Sequence, residues 1–182
     1  SVSAPSIIDV GALGKGGKGL FSLDVTNPAT FGTSGFRWEQ AETPLGNMGL
    51  VQGRPIISQV STGARAVVIG NGVNSTHNKA VLLVLDLNSG EVIREIDTGV
   101  GEAATPNGLS APTAVLGPDG KTVSYVYAGD MLGNVWKFDL TDESSDAWSV
   151  SKLFEAGVTR PISGAVTIAK HPPTQKRWIF FG

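Results

Sequence analysis

The sequence predicts an all-β fold, an arc of four-stranded antiparallel β-propeller blades, and three observations carry that prediction. Apolar residues come in short runs of about five or six, separated by Gly, Pro, Asn, Asp and Ser, which is strand-and-turn spacing. No segment sustains a 3.6-residue apolar period, so no long amphipathic helix is expected. A unit of four strands then recurs at a pitch of roughly 50–60 residues, the repeat length of propeller blades. A β-sandwich is the competing architecture, but it leaves the repetition without a cause.

The strands follow in chain order. GLFSLDVTNP (19–28) and GFRWEQ (35–40) read as the late strands of an incomplete unit spanning 1–40. RPIISQVSTGARAVVIGNG (54–72) supplies two strands and a turn, AVLLVLDLNSG (80–90) a third strand and EVIREIDTG (91–99) a fourth, making a whole blade over 53–100. APTAVLGPDGKTVSYVYAGD (111–130), NVWKFDLTDES (134–144) and AWSVSKLFE (147–155) repeat that plan over 110–156. RPISGAVTIAKHPPTQKRWIFFG (160–182) begins another unit. Pro55, Pro112 and Pro161 head the repeats, as suits a first strand residue whose N–H has no ladder partner. AVLLVLD is apolar on both faces and should be a central, fully buried strand. Trp38, Trp136, Trp148 and Trp178 lie in or beside strands and are expected to fill space between sheets. In NVWKFDL, Trp136 and Phe138 should share one face, Val135 and Lys137 the other. The whole chain forms one partial propeller domain, 1–182, and its open sheet edges should invite pairing with another chain.

Composition narrows the function. At 182 residues, 41% hydrophobic and 16% charged, the chain can bury a sizeable core. Its 24 glycines and 10 prolines suit tight turns. A net charge of −2 implies no basic face for nucleic acid. No apolar run reaches the ~18 residues of a membrane-spanning helix. The absence of cysteine excludes disulfides and thiolate metal sites. SVSAPSIIDV has neither the basic start nor the apolar core of a signal peptide, which suggests a processed or excised piece.

Motifs of chemistry are weak. GALGKGGKG (11–19) resembles a phosphate loop, but Ala12 stands at the first Gly, Gly19 at the Ser/Thr, and a strand follows instead of a helix, so a surface hairpin is expected. Asp24, Asp86 and Asp139 end equivalent strands, and each should accept backbone N–H groups of the next turn rather than join one carboxylate site. His77 and His171 fall in polar loops without further zinc ligands nearby in sequence. No Gly-x-Ser-x-Gly nucleophile elbow is present. The acidic stretch DLTDESSD (139–146) reads as a solvated turn. LGPDGKTVS has the Asp-Gly of a calcium loop. Aligned on an EF-type loop, however, Val115, Gly117 and Val123 fall on ligand positions, and only Asp119 offers a side-chain carboxylate. It is read as a hairpin turn.

Several long motifs in order, GKGGKGLFSLDVTNP, GNGVNSTHNKAVLLVLDLNSGEVIREIDTG, NGLSAP and YVYAGDMLGNVWKFDL, resemble the C-terminal domain of the PilY/PilC family of type IV pilus tip and biogenesis proteins. The resemblance runs from Gly11 to Gly182. It implies a modified β-propeller larger than this chain, a place at the cell surface, pilus tip or outer membrane, and no enzymatic activity. It implies roles in pilus assembly, in countering retraction, in adhesion and in twitching motility. Minor pilins or other pilus tip proteins, with a host or abiotic surface beyond them, are the partners it implies; self-association through exposed edges is the further expectation. The family carries a calcium loop just before YVYAGD. Here that loop, from Leu116 to Ser124, retains only Asp119, so no metal, no cofactor and no catalytic residue is expected. The rival reading is an arc of a quinoprotein dehydrogenase propeller. Its Ala-x-Asp-x-x-Thr-Gly-Lys-x-x-Trp repeat matches residues 84–94 only at Asp86 and Gly90. A generic protein-binding scaffold is the third.

Overall fold

The computed structural model describes residues 6–41, 46–174 and 176–182. Among these the chain is all-β, with short 3-10 turns. The first three strands, β1 (Ile8–Ala12), β2 (Gly19–Asp24) and β3 (Phe36–Ala41), form an antiparallel sheet. The next four, β4 (Ile56–Val60), β5 (Arg65–Gly70), β6 (Val81–Asp86) and β7 (Val92–Asp97), form an antiparallel meander. So do β8 (Thr113–Leu116), β9 (Thr122–Gly129), β10 (Asn134–Asp139) and β11 (Ser149–Glu155). A last hairpin joins β12 (Thr167–Lys170) to β13 (Arg177–Phe180).

Two features go beyond the sequence reading. β1 has no counterpart in it, since a five-residue strand holding Gly11 and Ala12 gives little apolar signal. The two meanders are also joined. The end of β4 pairs in parallel with the start of β9, Gln59 opposite Thr122 and Val60 opposite Val123, which makes one eight-stranded sheet. Both valines are buried, so the junction sits on core packing as well as on backbone bonds.

The core has two layers, and β6 belongs to both. Ala80, Leu82 and Val84 pack with Val60, Val68, Val126, Trp136 and Phe138. Val81, Leu83 and Leu85 pack with Leu20, Trp38, Val67 and Ile69. Side chains alternate along a strand, so a strand apolar at every position feeds both layers. All six of these β6-region residues are fully buried, at about 1.5–3 kcal/mol of hydrophobic stabilisation for each large one.

The tryptophans divide. Trp38, Trp136 and Trp148 are buried, and each indole N–H finds an oxygen: Leu87 O at 2.9 Å, Asp130 Oδ2 at 2.8 Å and Asp142 O at 2.8 Å. Trp178 does not fill an interior. It is 51% exposed and stacks on His171 at 5.2 Å, because β12 and β13 form only a two-stranded sheet. Pro55 and Pro112 immediately precede β4 and β8, whereas Pro161 does not head a strand. The chain from Ile162 to Val166 runs against the preceding unit before β12 begins, and Ile162 and Val166 are buried there.

Candidate functional site

The Asp-Gly loop is a hairpin turn between β8 and β9. Gly117 N donates to Thr122 O at 2.7 Å, and Gly120 takes φ +68°, a left-handed conformation that suits glycine. Asp119 faces inward to its own turn: Oδ1 accepts the amides of Lys121 (3.0 Å) and Thr122 (2.9 Å), and Oδ2 accepts the Thr122 hydroxyl (2.5 Å). The Thr122 hydroxyl, then the two amides, hold its carboxyl down at about 2. Asp24, Asp86 and Asp139 do the same work one repeat apart, accepting from Thr26, from Asn88 and Ser89, and from Thr141. For Asp24, the Thr26 hydroxyl and amide hold the carboxyl below its usual value. For Asp139, burial pushes upward but the Thr141 hydroxyl and amide outweigh it. The three carboxylates are turn anchors on separate strands, not one cluster.

The histidines are likewise tied locally. His77 Nδ1 lies 2.9 Å from Asn47 Oδ1, and His171 Nδ1 lies 2.8 Å from Thr174 Oγ1. The glycine-rich stretch at 11–19 is the tip of the β1–β2 hairpin, its turn at 13–18 closed by Leu13 N to Gly19 O at 3.1 Å. In the acidic stretch, Asp142 accepts the Ser144 amide and Asp146 pairs with Arg94 at 2.7 Å, both at the surface. Among the described residues, no three His, Asp or Glu side chains gather where they could hold a metal ion.

A buried polar junction was missed by the sequence reading. Asn71 and Asp130 immediately follow β5 and β9, the second strands of their units, in GNG and AGD, and both are fully buried. Asn71 Oδ1 accepts the amides of Val81 (3.1 Å) and Leu109 (2.9 Å), and its Nδ2 donates to Asn47 O (2.9 Å) and Lys79 O (2.8 Å). Its hydrogen-bonding capacity is used in full. Asp130 Oδ1 accepts the amides of Leu132 (3.0 Å) and Asn134 (2.8 Å). Its Oδ2 accepts Asn107 Nδ2 (2.9 Å), Asn134 Nδ2 (2.8 Å) and Trp136 Nε1 (2.8 Å). The backbone of the same residue takes Ile162 N at 2.9 Å, so the junction reaches the following unit. The available signal was a polar residue directly after an apolar strand and beside glycine, where a buried polar group must be bonded.

Beside this junction lies a cleft of about 150 Å³ between the units, lined by Leu50, Gly70, Gly72, Leu109, Ser110 and Ser163, among others. None of its described lining residues is ionisable, and the Ser110 hydroxyl donates to Ile162 O at 2.7 Å. Its walls combine backbone, small and aliphatic side chains with the Gln52 amide, the Met131 thioether and the Ser163 hydroxyl.

The match that decides the family runs over nearly the whole chain: the model of the PilY1 beta-propeller domain fits residues 3–179. The chain belongs to the PilY1 β-propeller domain family. A type IV pilus biogenesis factor PilY1 homolog of Xylella fastidiosa is 38% identical over 176 residues, covering 95% of this chain and 14% of that protein. The type IV pilus biogenesis factor PilY1 of Pseudomonas aeruginosa is 32% identical over 197 residues, covering 95% and 17%. The chain thus spans about one-sixth or less of the length of these PilY1 proteins. The crystal structure of the Pseudomonas aeruginosa PilY1 C-terminal domain superposes with a TM-score of 0.84 at 31% identity, covering 96% of this chain and 40% of that one. The type IV pilus association and the propeller that the motifs implied are those of this PilY1 family.

Proposed function

We propose that the chain is a non-catalytic arc of a larger surface propeller in a type IV pilus biogenesis and adhesion protein. Its blades are 53–100 and 110–156, with parts of two others at 1–40 and 160–182. The support is the match at 31% identity and TM-score 0.84 that covers 96% of this chain and only 40% of the solved PilY1 domain. In the whole protein the propeller stands at the cell surface, at the pilus tip or outer membrane. It supports assembly, adhesion and twitching motility through minor pilins or other tip proteins and a host or abiotic surface. The arc works without a cofactor, and the loop at 116–124 is a structural turn rather than a calcium site. Both Asp119 oxygens already serve that turn.

The test is a chimera. This chain replaces the matching arc of Pseudomonas aeruginosa PilY1 in a strain lacking that protein, and surface pili and twitching zones are scored. Restored piliation and motility are expected. A chimera that is stable and exported yet leaves the cells without pili would overturn the reading, as would quinone-dependent, dye-linked alcohol oxidation by the chain itself.

A further inference from the structure

A second groove, of about 320 Å³, lies away from the buried junction, between β4, the start of β5 and the β8–β9 turn. One wall follows from strand register. Gln59 on β4 stands opposite Arg65 on β5, and Ile57 lies two residues along, so the three share one face. The other wall is Leu116 and Lys121. The Ser58 hydroxyl donates to Lys121 O at 2.6 Å and fixes the turn against β4, so the walls are held in place before any ligand arrives.

The lining combines two chemistries. Ile57 and Leu116 are 46% and 44% exposed, an aliphatic surface open to solvent. Arg65 and Lys121 are both exposed, and among the described residues neither side chain forms an ion pair. Asp119 is the nearby carboxylate that feels Lys121, and its oxygens are committed to the turn. The groove therefore holds two exposed cations that form no ion pair among the described residues, with Asp119 the carboxylate beside Lys121, next to aliphatic side chains that are almost half open to solvent.

We propose that this groove binds an extended acidic peptide segment with carboxylate and aliphatic side chains at alternate positions. In an extended chain, residues i and i+2 point the same way, so one carboxylate reaches Arg65 and Lys121 while the next-but-one side chain lies on Ile57 and Leu116. A free inorganic anion would leave the aliphatic surface uncovered. Two cations are too few to hold an anionic membrane, which draws on larger basic clusters. The inference does not depend on the pilus reading, because it concerns binding by this chain alone.

The experiment is fluorescence anisotropy with a fluorescein-labelled peptide carrying glutamate and valine alternately, separated by serine, at low salt. Saturable binding is expected, weakened by added salt. The double variant Arg65→Gln/Lys121→Gln should raise Kd about tenfold or more, as loss of charge-assisted hydrogen bonds does. Leu116→Ser should raise it several-fold, and Arg160→Gln, away from the groove, should leave it unchanged. Thermal unfolding of each variant checks the fold. Should the double variant unfold, Lys121→Gln alone and the salt dependence of the parent decide. The proposal is overturned by no saturable binding, by equal binding of the glutamine-for-glutamate peptide, or by an unchanged Kd in the charge variants. It is overturned equally by displacement with inorganic phosphate at the peptide's own concentration, which would mark a plain anion site, or by binding to phosphatidylserine vesicles in place of the peptide.

Discussion

Asp130 binds more of the molecule than any sequence motif suggested. Its buried oxygens accept from two backbone amides, two asparagine amides and one indole. Removing the carboxylate takes a partner from those donors; Asn107 Nδ2 keeps Val100 O, and each of the few left unpaired in the core costs roughly 1–3 kcal/mol. Asp130→Ala should therefore lower the unfolding free energy by about 3–5 kcal/mol, read from urea denaturation. A loss under about 1 kcal/mol would mean that water replaces the carboxylate without strain. Asp119 behaves differently, since it is exposed and acts on one turn. Its carboxyl is held at about 2, against an ordinary value of 3.8. A lowered folded-state value stabilises the turn fully above the ordinary value, and that contribution fades as pH falls through about 2. The Thr122 amide resonance should titrate with a midpoint near 2. Asp119→Asn should abolish that titration while the hairpin persists at neutral pH. Because the same oxygens hold the turn, added calcium should leave the thermal midpoint unchanged. Terbium luminescence sensitised by Tyr125 or Trp136, competed away by calcium and lost in Asp119→Ala, would refute this.

Strands show which parts of the fold were written in local sequence. β6 was legible because apolar residues at both parities can only mean burial on both faces, and its residues divide between the two core layers. Leu83→Ala should cost about 2–5 kcal/mol, the range for an unrelieved core cavity. Ile57→Ala, at an exposed position of β4, should cost under about 0.5 kcal/mol by the same denaturation assay. Turn chemistry was legible as well. The strand-ending Asp residues and the Asp-Gly hairpin use rules that span three or four residues, and the structure places their hydrogen bonds there. Pairing between units was not legible. The parallel β4–β9 contact and the Asn71 and Asp130 junctions join residues far apart in sequence, and no local period encodes them. Trp178 was misplaced for the same reason, since its burial depends on what packs over β13 and not on its own strand. Gly90 marks another such joint. It takes φ +75°, and a Cβ there would meet the Trp38 ring at 2.6 Å. Gly90→Ala should then loosen the docking of the first sheet on the second, seen as a red shift of tryptophan emission.

At the scale of the whole molecule, the two ends of the sheet system differ in how well they are covered. β7, at one edge of the eight-stranded sheet, is half-buried over most of its length, whereas β11, at the other edge, is exposed over most of its length. On the same side, Trp178, Phe180 and Phe181 are 51%, 51% and 39% exposed, and Phe181 lies 5.1 Å from the ring of Phe154. Clustered exposed aromatics and a strand edge with free backbone groups both favour association with another chain. This chain in isolation should therefore self-associate, with a mass that rises with concentration in light scattering. Trp178→Ser with Phe180→Ser should shift it towards monomer without lowering the unfolding midpoint by more than a few degrees, because neither side chain is in the core clusters. The same change should spare the acidic-peptide groove, whose walls lie on β4, β5 and the 116–121 turn. Subunit exchange between differently tagged copies gives an independent readout. A monodisperse monomer that exchanges no tagged partner across the concentration range would show that the aromatic face is closed by its own chain and that the exposed edges are inert.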